Sequence, residues 1–198
     1  MDGDARRQRT RMGRPRNDAA RVATLKAANA ILEGEGIAGF TIEAVAARAG
    51  VGKATIYRWW PSRGALAVAG FLAETAPKIS YSDTGSTLRD LSNQLKRVAA
   101  VYGGAAGRVL AAIIAEGQRD PLTMAAFMDG YARPRREEAK TILRAGVARG
   151  ELRRDIDLDI AVDALYGPIY YRMLVPLGPL SADWMEALAS SVISGLAA

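Results

Sequence analysis

Phe40-Thr41-Ile42-Glu43-Ala44-Val45-Ala46-Ala47-Arg48-Ala49-Gly50-Val51-Gly52-Lys53-Ala54-Thr55-Ile56-Tyr57-Arg58-Trp59-Trp60 is the stretch on which the reading of this chain turns. It reads as two short helices joined by a tight turn. Thr41 offers a hydroxyl to an exposed backbone N–H at the start of the first. Ile42, Val45, Ala46 and Ala49 then recur at i, i+3, i+4 and i+7, one apolar helical face. Gly50 follows the last of them, where a left-handed C′ residue is easiest without a Cβ. Gly52 is an acceptable N-cap for a second helix from Lys53 to about Trp60. Helix, glycine turn, helix is the helix-turn-helix arrangement.

At about 100° per residue, Ile56 and Trp60 of the second helix share one side and are expected to pack on the first helix. Ala54, Thr55 and Arg58 point away, flanked by Lys53, Tyr57 and Trp59. This outward face is small in the middle and carries hydrogen-bond donors around it. A helix entering a DNA major groove needs that shape, because a bulky centre holds the backbone off the base edges. Lys53 and Arg58 can reach guanine or phosphate, Thr55 can hold a phosphate, and Tyr57 can do either. The plainer alternative is an amphipathic hairpin inside a helical bundle.

Charge separates the two readings. Residues 1–63 hold 12 Lys/Arg against 6 Asp/Glu, whereas residues 64–198 hold 15 of each. The whole net charge of +6 therefore sits on the segment that contains the helix pair. A polyanionic partner follows, since phosphate neutralisation supplies much of nucleic-acid affinity. Residues 1–17, with Arg6, Arg7, Arg9, Arg11, Arg14 and Arg16 among Gly, Asp and Pro15, are expected to be a flexible basic arm. It serves either to follow the phosphate backbone or a minor groove, or simply to solubilise.

The remainder reads as helix throughout, with no convincing strand. Asn17 or Asp18 caps a helix over residues 18–35, with Val22, Leu25, Ala28 and Leu32 as its buried stripe and Gly34 and Gly36 ending it. Pro61 stops the second helix of the motif, and Ser62 caps a linking helix over residues 63–76. Residues 77–86 are expected to be a boundary loop. Further helices follow over residues 87–102, carrying Leu88, Leu91, Leu95, Val98 and Val101, and over residues 108–119. Another starts at Asp120-Pro121, is restarted or kinked at Pro134, and stops at Gly150. Asp157 or Asp159 caps a helix reaching Leu174, which Gly167-Pro168 is expected to kink. Ser181 caps the last, through Trp184, Leu188, Val192 and Leu196.

The spaced residues Gly39-Phe40-Thr41, Val45-Ala46, Ala49-Gly50-Val51, Thr55-Ile56-Tyr57, Trp60, Ser62-Arg63 and Leu66 resemble the TetR family of bacterial one-component transcription regulators, over about a quarter of the chain. The family usually has Ser or Thr at the Gly52 position, Lys at the Arg63 position, and often an acidic residue at the Gly64 position. The resemblance implies an all-α protein: a three-helix helix-turn-helix domain with its linking helix over residues 18–76, and a larger helical ligand-binding and dimerisation domain over residues 77–198. It implies that Arg21 and Arg63 contact phosphate, a surface ion pair being the alternative for Arg63. With Thr41, Lys53, Ala54, Thr55, Tyr57, Arg58 and Trp59 these make up the candidate DNA-binding set. It also implies a homodimer formed by the last two long helices, although their apolar stripes fit an intramolecular core equally well. Tyr102, Met124, Phe127, Met128, Tyr131, Tyr166 and Tyr170 are the candidates for lining a small-molecule cavity, or are ordinary core at helical spacing.

Composition narrows the chemistry. There is no cysteine and no histidine, so Ser–His–Asp and Cys–His catalysis, thiolate zinc sites and disulfides are all excluded. Neither a metal nor another cofactor is expected. No apolar run reaches the length of a membrane span and no apolar h-region follows the arginines, so the expected address is the cytoplasm. The expected function is a homodimeric repressor, not an enzyme, released from a pseudo-palindromic double-stranded operator by a small-molecule effector of unknown identity. A helical enzyme and a membrane-binding or adaptor protein using the basic arm are the alternatives.

Overall fold

The computed structural model describes the backbone of residues 4–175 and 177–198 and the side chains of residues 18–175 and 177–198. Among the described residues there are ten α-helices, a 3-10 turn and a π-turn, and no strand longer than an isolated bridge.

The first helix, α1 (Asp4–Gly39), starts well before the expected cap at Asn17 or Asp18. Ala5, Arg6, Arg7, Gln8 and Arg9 are all good helix formers, so the backbone of most of the expected flexible arm is helical. The arm's side chains lie outside the described residues. At the other end Gly36 leaves the helical region at φ 69°, where the glycine pair was expected to stop it. Val22, placed in the buried stripe by periodicity, is instead exposed, and Thr24 is fully buried. Thr24 satisfies its hydroxyl by donating to Ala20 O at 2.8 Å, and a buried polar residue that bonds its own helix leaves no hydrophobic signal.

The motif helices follow the expected lines. Thr41 Oγ1 accepts from Ala44 N at 3.0 Å to cap α2 (Ile42–Ala49), and Gly50 takes the left-handed conformation at φ 66°. Helix α3 (Lys53–Trp59) starts at Gly52 with no side-chain cap. Ser62 Oγ accepts from Ala65 N at 3.0 Å to open α4 (Arg63–Thr75). Helix α4 packs along α1 on one side and against the C-terminal helices on the other. Its buried Leu66, Ala67, Val68 and Phe71 join one continuous apolar core.

The expected boundary loop is shorter than residues 77–86. Ala76–Ile79 forms a 3-10 turn with Pro77 in its first turn, and fully buried Ile79 pins it to the core. Helices α5 (Thr87–Tyr102) and α6 (Ala105–Gly117) follow; α6 starts at Ala105 rather than residue 108, since Ala105 and Ala106 continue the helix readily. Leu88, expected in the core, is exposed in the first turn of α5. Asp120 accepts from Leu122 N and Thr123 N to cap α7 (Pro121–Phe127). Met128–Ala132 then makes a π-turn before α8 (Arg133–Arg149), with the Arg133 N–H donating to Met128 O. Pro134 explains the widening: it has no N–H for a bond to the residue four back, and its ring crowds that carbonyl.

Helix α9 (Leu158–Leu174) is capped by Asp157 and carries Pro168 in its interior, with helix continuing on both sides of Gly167-Pro168. Helix α10 (Ala182–Leu196) is capped by Ser181 Oγ, which accepts from Trp184 N at 3.2 Å. The outer face of α9 carries exposed Ile160, Tyr171 and Leu174, while Ala161, Val162, Leu165 and Ile169 are buried on the inner face. No single helix among the described residues is long and apolar enough to cross a membrane.

Candidate DNA-binding surface and internal cavity

Helix α3 is held from behind. Ile56 is fully buried and Trp60, its C-cap, is 7% exposed. Trp60 packs edge-on to Trp59 with ring centroids 5.4 Å apart. From that fixed back, Lys53, Ala54, Tyr57 and Arg58 project into solvent, with Thr55 and Trp59 half-buried at the margins. Half of Tyr57 is exposed, which is a lot for a large aromatic side chain on a seven-residue helix. The Arg58 guanidinium lies 5.2 Å from the Trp59 ring centroid. Lys53 Nζ sits 3.0 Å from Glu43 Oε1 on α2, and that carboxylate holds the ammonium's pKa above its ordinary value. Both groups are solvent-exposed, and such pairs are weak enough to be exchanged for a phosphate. Thr41 and Arg21 are also exposed, on the α2 cap and on α1.

Arg63 departs from the set. Its Nη1 donates to Phe40 O at 3.2 Å and Ile37 O at 3.4 Å, carbonyls at the end of α1. Its Nη2 pairs with Glu116 Oε1 of α6 at 2.5 Å. In this conformation the ion-pair alternative holds, and a phosphate would have to displace Glu116. The partner lies 53 residues away, so local sequence carried no sign of it.

The second feature is a cavity of about 360 Å³ inside the C-terminal domain. Six of the seven expected residues line it: Tyr102, Phe127, Met128, Tyr131, Tyr166 and Tyr170. Met124 does not; it faces Gly117 of α6, where an added Cβ would come within 2.9 Å of its Cε. Of the polar lining residues, Gln94, Arg135 and Arg136 were missed. Gln94 is 1% exposed, and nothing in the sequence sets it apart from a surface glutamine on α5 except its place beside Leu91, Leu95 and Val98. Tyr166 donates to Gln94 Oε1 at 2.9 Å, and its hydroxyl lies 2.6 Å from that of Tyr81. Tyr102 and Tyr131 form a second hydroxyl pair, and Phe71 of α4 packs on both rings at centroid distances of 6.3 and 6.1 Å. Arg135 lies 4.9 Å over the Tyr81 ring, pairs with Glu138 at 2.7 Å and donates to Ile79 O.

Burial raises the pKa of every one of these phenols, Tyr81 to about 12 and Tyr102, Tyr131, Tyr166 and Tyr170 well above the ordinary value. Phenols free in the unfolded chain ionise near pH 10. Below that pH both states hold the protons and the contribution to stability is complete. Above it the unfolded state releases protons that the folded state keeps, so stability falls as pH rises from about 10 towards 12. The expected result is that tyrosinate absorbance of these five groups appears together with loss of helical circular dichroism, not ahead of it. Ionisation at full helicity would contradict the buried hydroxyl network.

A helix-turn-helix presented by one domain, and a linking helix whose far end touches the wall of a cavity in the next, define a two-part DNA-binding regulator. Residues 25–69 match the family model for bacterial regulatory proteins of the tetR family, and residues 81–192 match the tetracyclin repressor-like C-terminal domain. The chain is 32% identical over 189 residues to the HTH-type transcriptional regulator YdeS of Bacillus subtilis, covering 96% of each chain. It is 29% identical to the HTH-type transcriptional regulator Rv1556 of Mycobacterium tuberculosis, over 82% of this chain and 80% of that one. Among solved structures, the TetR family transcription regulator SCO0332 superposes with a TM-score of 0.80 at 34% identity, covering 90% of this chain and 99% of its own. The chain belongs to the TetR family of transcriptional regulators, and its helix-turn-helix is a DNA-binding unit.

Proposed function

We propose that the protein is a homodimeric repressor that leaves its operator when a small molecule fills the cavity. One observation carries the DNA half: α3 exposes Lys53, Tyr57 and Arg58 around the small Ala54 while Ile56 and Trp60 fix its back. Two such helices, one per protomer, enter successive major grooves about 34–36 Å apart. Lys53, Tyr57 and Arg58 read bases or phosphates, Ala54 and Thr55 allow close approach, and Thr41, Trp59 and Arg21 flank the contact. The outer face of α9, with Ile160, Tyr171 and Leu174 exposed, together with the small exposed residues Ala187, Ser190, Ser191 and Ser194 of α10, supports a close-packed interface with a second copy. A protein of this kind works in the cytoplasm, beside the chromosome.

The effector half follows from contact. A molecule in the cavity touches Tyr102 and Tyr131; both pack on Phe71, and Phe71 belongs to the helix that begins at Arg63. Release is an equilibrium shift: the effector binds more tightly to the conformation whose recognition helices are wrongly spaced. Arg63 then acts as a two-way contact, bonded to Glu116 when off DNA and to phosphate when on it. Glu116→Gln removes the competing carboxylate from both protomers, and operator affinity should rise roughly tenfold, as loss of two partly exposed ion pairs of about 0.5–1 kcal/mol each implies. Weaker operator binding by this variant, measured by fluorescence anisotropy, would show that the pair supports the DNA-bound form instead.

The direct test is to select bound sequences from random duplex DNA. An inverted repeat with half-sites one helical turn apart is the expected product, bound by two protomers in sedimentation. Recovery of unrelated sequences, or a monomer on a single half-site, would overturn the reading.

A further inference from the structure

Counting protons around the cavity narrows what it can hold. Tyr166 uses its only hydroxyl proton on Gln94 Oε1, so the 2.6 Å contact with Tyr81 requires Tyr81 to donate. That chain spends both hydroxyl protons and one lone pair of the Gln94 carbonyl, and leaves the Gln94 amide as two N–H donors. The other group is Tyr102, Tyr131 and Tyr170, in which Tyr131 bonds to Tyr102 and also interacts with Tyr170. Three protons serve two contacts, so one remains whichever way the bonds run. Arg135 adds donors and has no acceptor at all. Among the described residues no carboxylate lines the cavity; Glu138 is paired with Arg135, and Asp159 and Asp163 with Arg136. The acceptors left are neutral phenol oxygens and the second lone pair of Gln94 Oε1, whereas the strongest groups the walls still offer are donors, with two guanidinium groups and no carboxylate among them.

We propose that the effector is a compact, largely apolar molecule carrying a carbonyl oxygen, and that the cavity rejects amines and quaternary ammonium compounds. This rests on the reading of the cavity as the effector site. An ammonium ion brings only donors and positive charge, and it would lose its water beside a guanidinium with no free carboxylate to replace it. Phenol rings can cage a cation, but the same walls hold the guanidinium groups of Arg135 and Arg136, which repel one. A carbonyl oxygen accepts from the spare tyrosine proton or the Gln94 amide and leaves every existing bond intact. A volume of about 360 Å³ lies at the lower end of the ~300–1,000 Å³ of small-molecule pockets, which suits a small fused-ring body.

Three probes with the same carbon skeleton test this by calorimetry on the full-length protein: 2-acetylnaphthalene, 1-(2-naphthyl)ethylammonium and 2-ethylnaphthalene. The ketone should bind about tenfold more tightly than the hydrocarbon, the gain of one well-made hydrogen bond in a dry site. The ammonium should bind more weakly than either. Gln94→Glu, which keeps the side-chain shape and adds a carboxylate, should reverse the order of ketone and ammonium. The wild-type comparison needs no variant, so a misfolded Gln94→Glu would not spare the proposal. An ammonium that binds as tightly as the ketone, or no binding by any of the three, overturns it. If the ketone is preferred yet operator affinity does not move, the chemical class stands and the release mechanism falls. A preferred ammonium that does release operator has the opposite meaning.

Discussion

Tyr57→Ala and Lys53→Ala are each expected to weaken operator binding by roughly a hundredfold or more without changing helicity or dimerisation. Each side chain makes a groove contact worth ~1–3 kcal/mol, and the dimer loses two of them. Neither contributes to the core: Tyr57 is half exposed and the Lys53 side chain more so, paired with the exposed Glu43. The two variants should differ in their salt response. If Lys53 meets phosphate, its loss lowers the slope of log affinity against log salt by about two per dimer, whereas loss of Tyr57 leaves it nearly unchanged. Fluorescence anisotropy against the selected operator at several salt concentrations measures both. Wild-type affinity in both variants would remove α3 from the recognition role.

Gly64→Ala should be as disruptive to folding as those two are to binding. Gly64 is buried at the start of α4, and a Cβ there would lie 1.8 Å from Thr123 Oγ1 and 2.7 Å from Thr123 Cα on α7. A hydroxyl can rotate away but a backbone atom cannot, so α4 must separate from α7. Overpacking of this kind costs about 1–3 kcal/mol or somewhat more, a fall in Tm of roughly 4–10 °C for a chain of this size. Thr123→Ala should not rescue it, because the Thr123 Cα and Cβ contacts remain. A Gly64→Ala protein with unchanged Tm would mean that α4 and α7 are not in close register. The same contact accounts for the departure noted in the sequence. This chain has no room for a side chain at this position.

The contrast between what could and could not be read from sequence comes down to distance along the chain. Thr41, Ser62, Asp120, Asp157 and Ser181 each cap the helix they precede, because a cap is a bond between a side chain and an N–H two or three residues on. The α3 face was legible for the same reason: Ile56 and Trp60 are four residues apart on a period that geometry fixes. Arg63 was not, since Glu116 and the end of α1 meet it only once three helices have packed. Nor was the start of α5 legible. The Thr87 N–H is met at 2.7 Å by Glu151 from beyond α8, 64 residues on, and not by its neighbour Ser86. In the cavity the aromatic residues announced themselves by type. Gln94 and Arg135, which set its polarity, are of types common on any helical surface. Val22 and Leu88 show the limit of periodicity, which finds a stripe but not where the stripe meets solvent.

The π-turn at Met128–Ala132 has a mechanical corollary. Helices α7 and α8 behave as a single rod with one surplus residue in the middle. Thr123 near one end must face Gly64 while Arg136 beyond the other faces Asp159 and Asp163, and the surplus residue supplies the phase offset between those contacts. Deleting the exposed Asp129 would tighten the rod to a regular pitch and turn one end by about 100° relative to the other. The shortened protein could seat either its DNA-side neighbour or its cavity-side neighbour, but not both at once. Insertions and deletions among relatives should therefore avoid this one stretch of an otherwise tolerant surface.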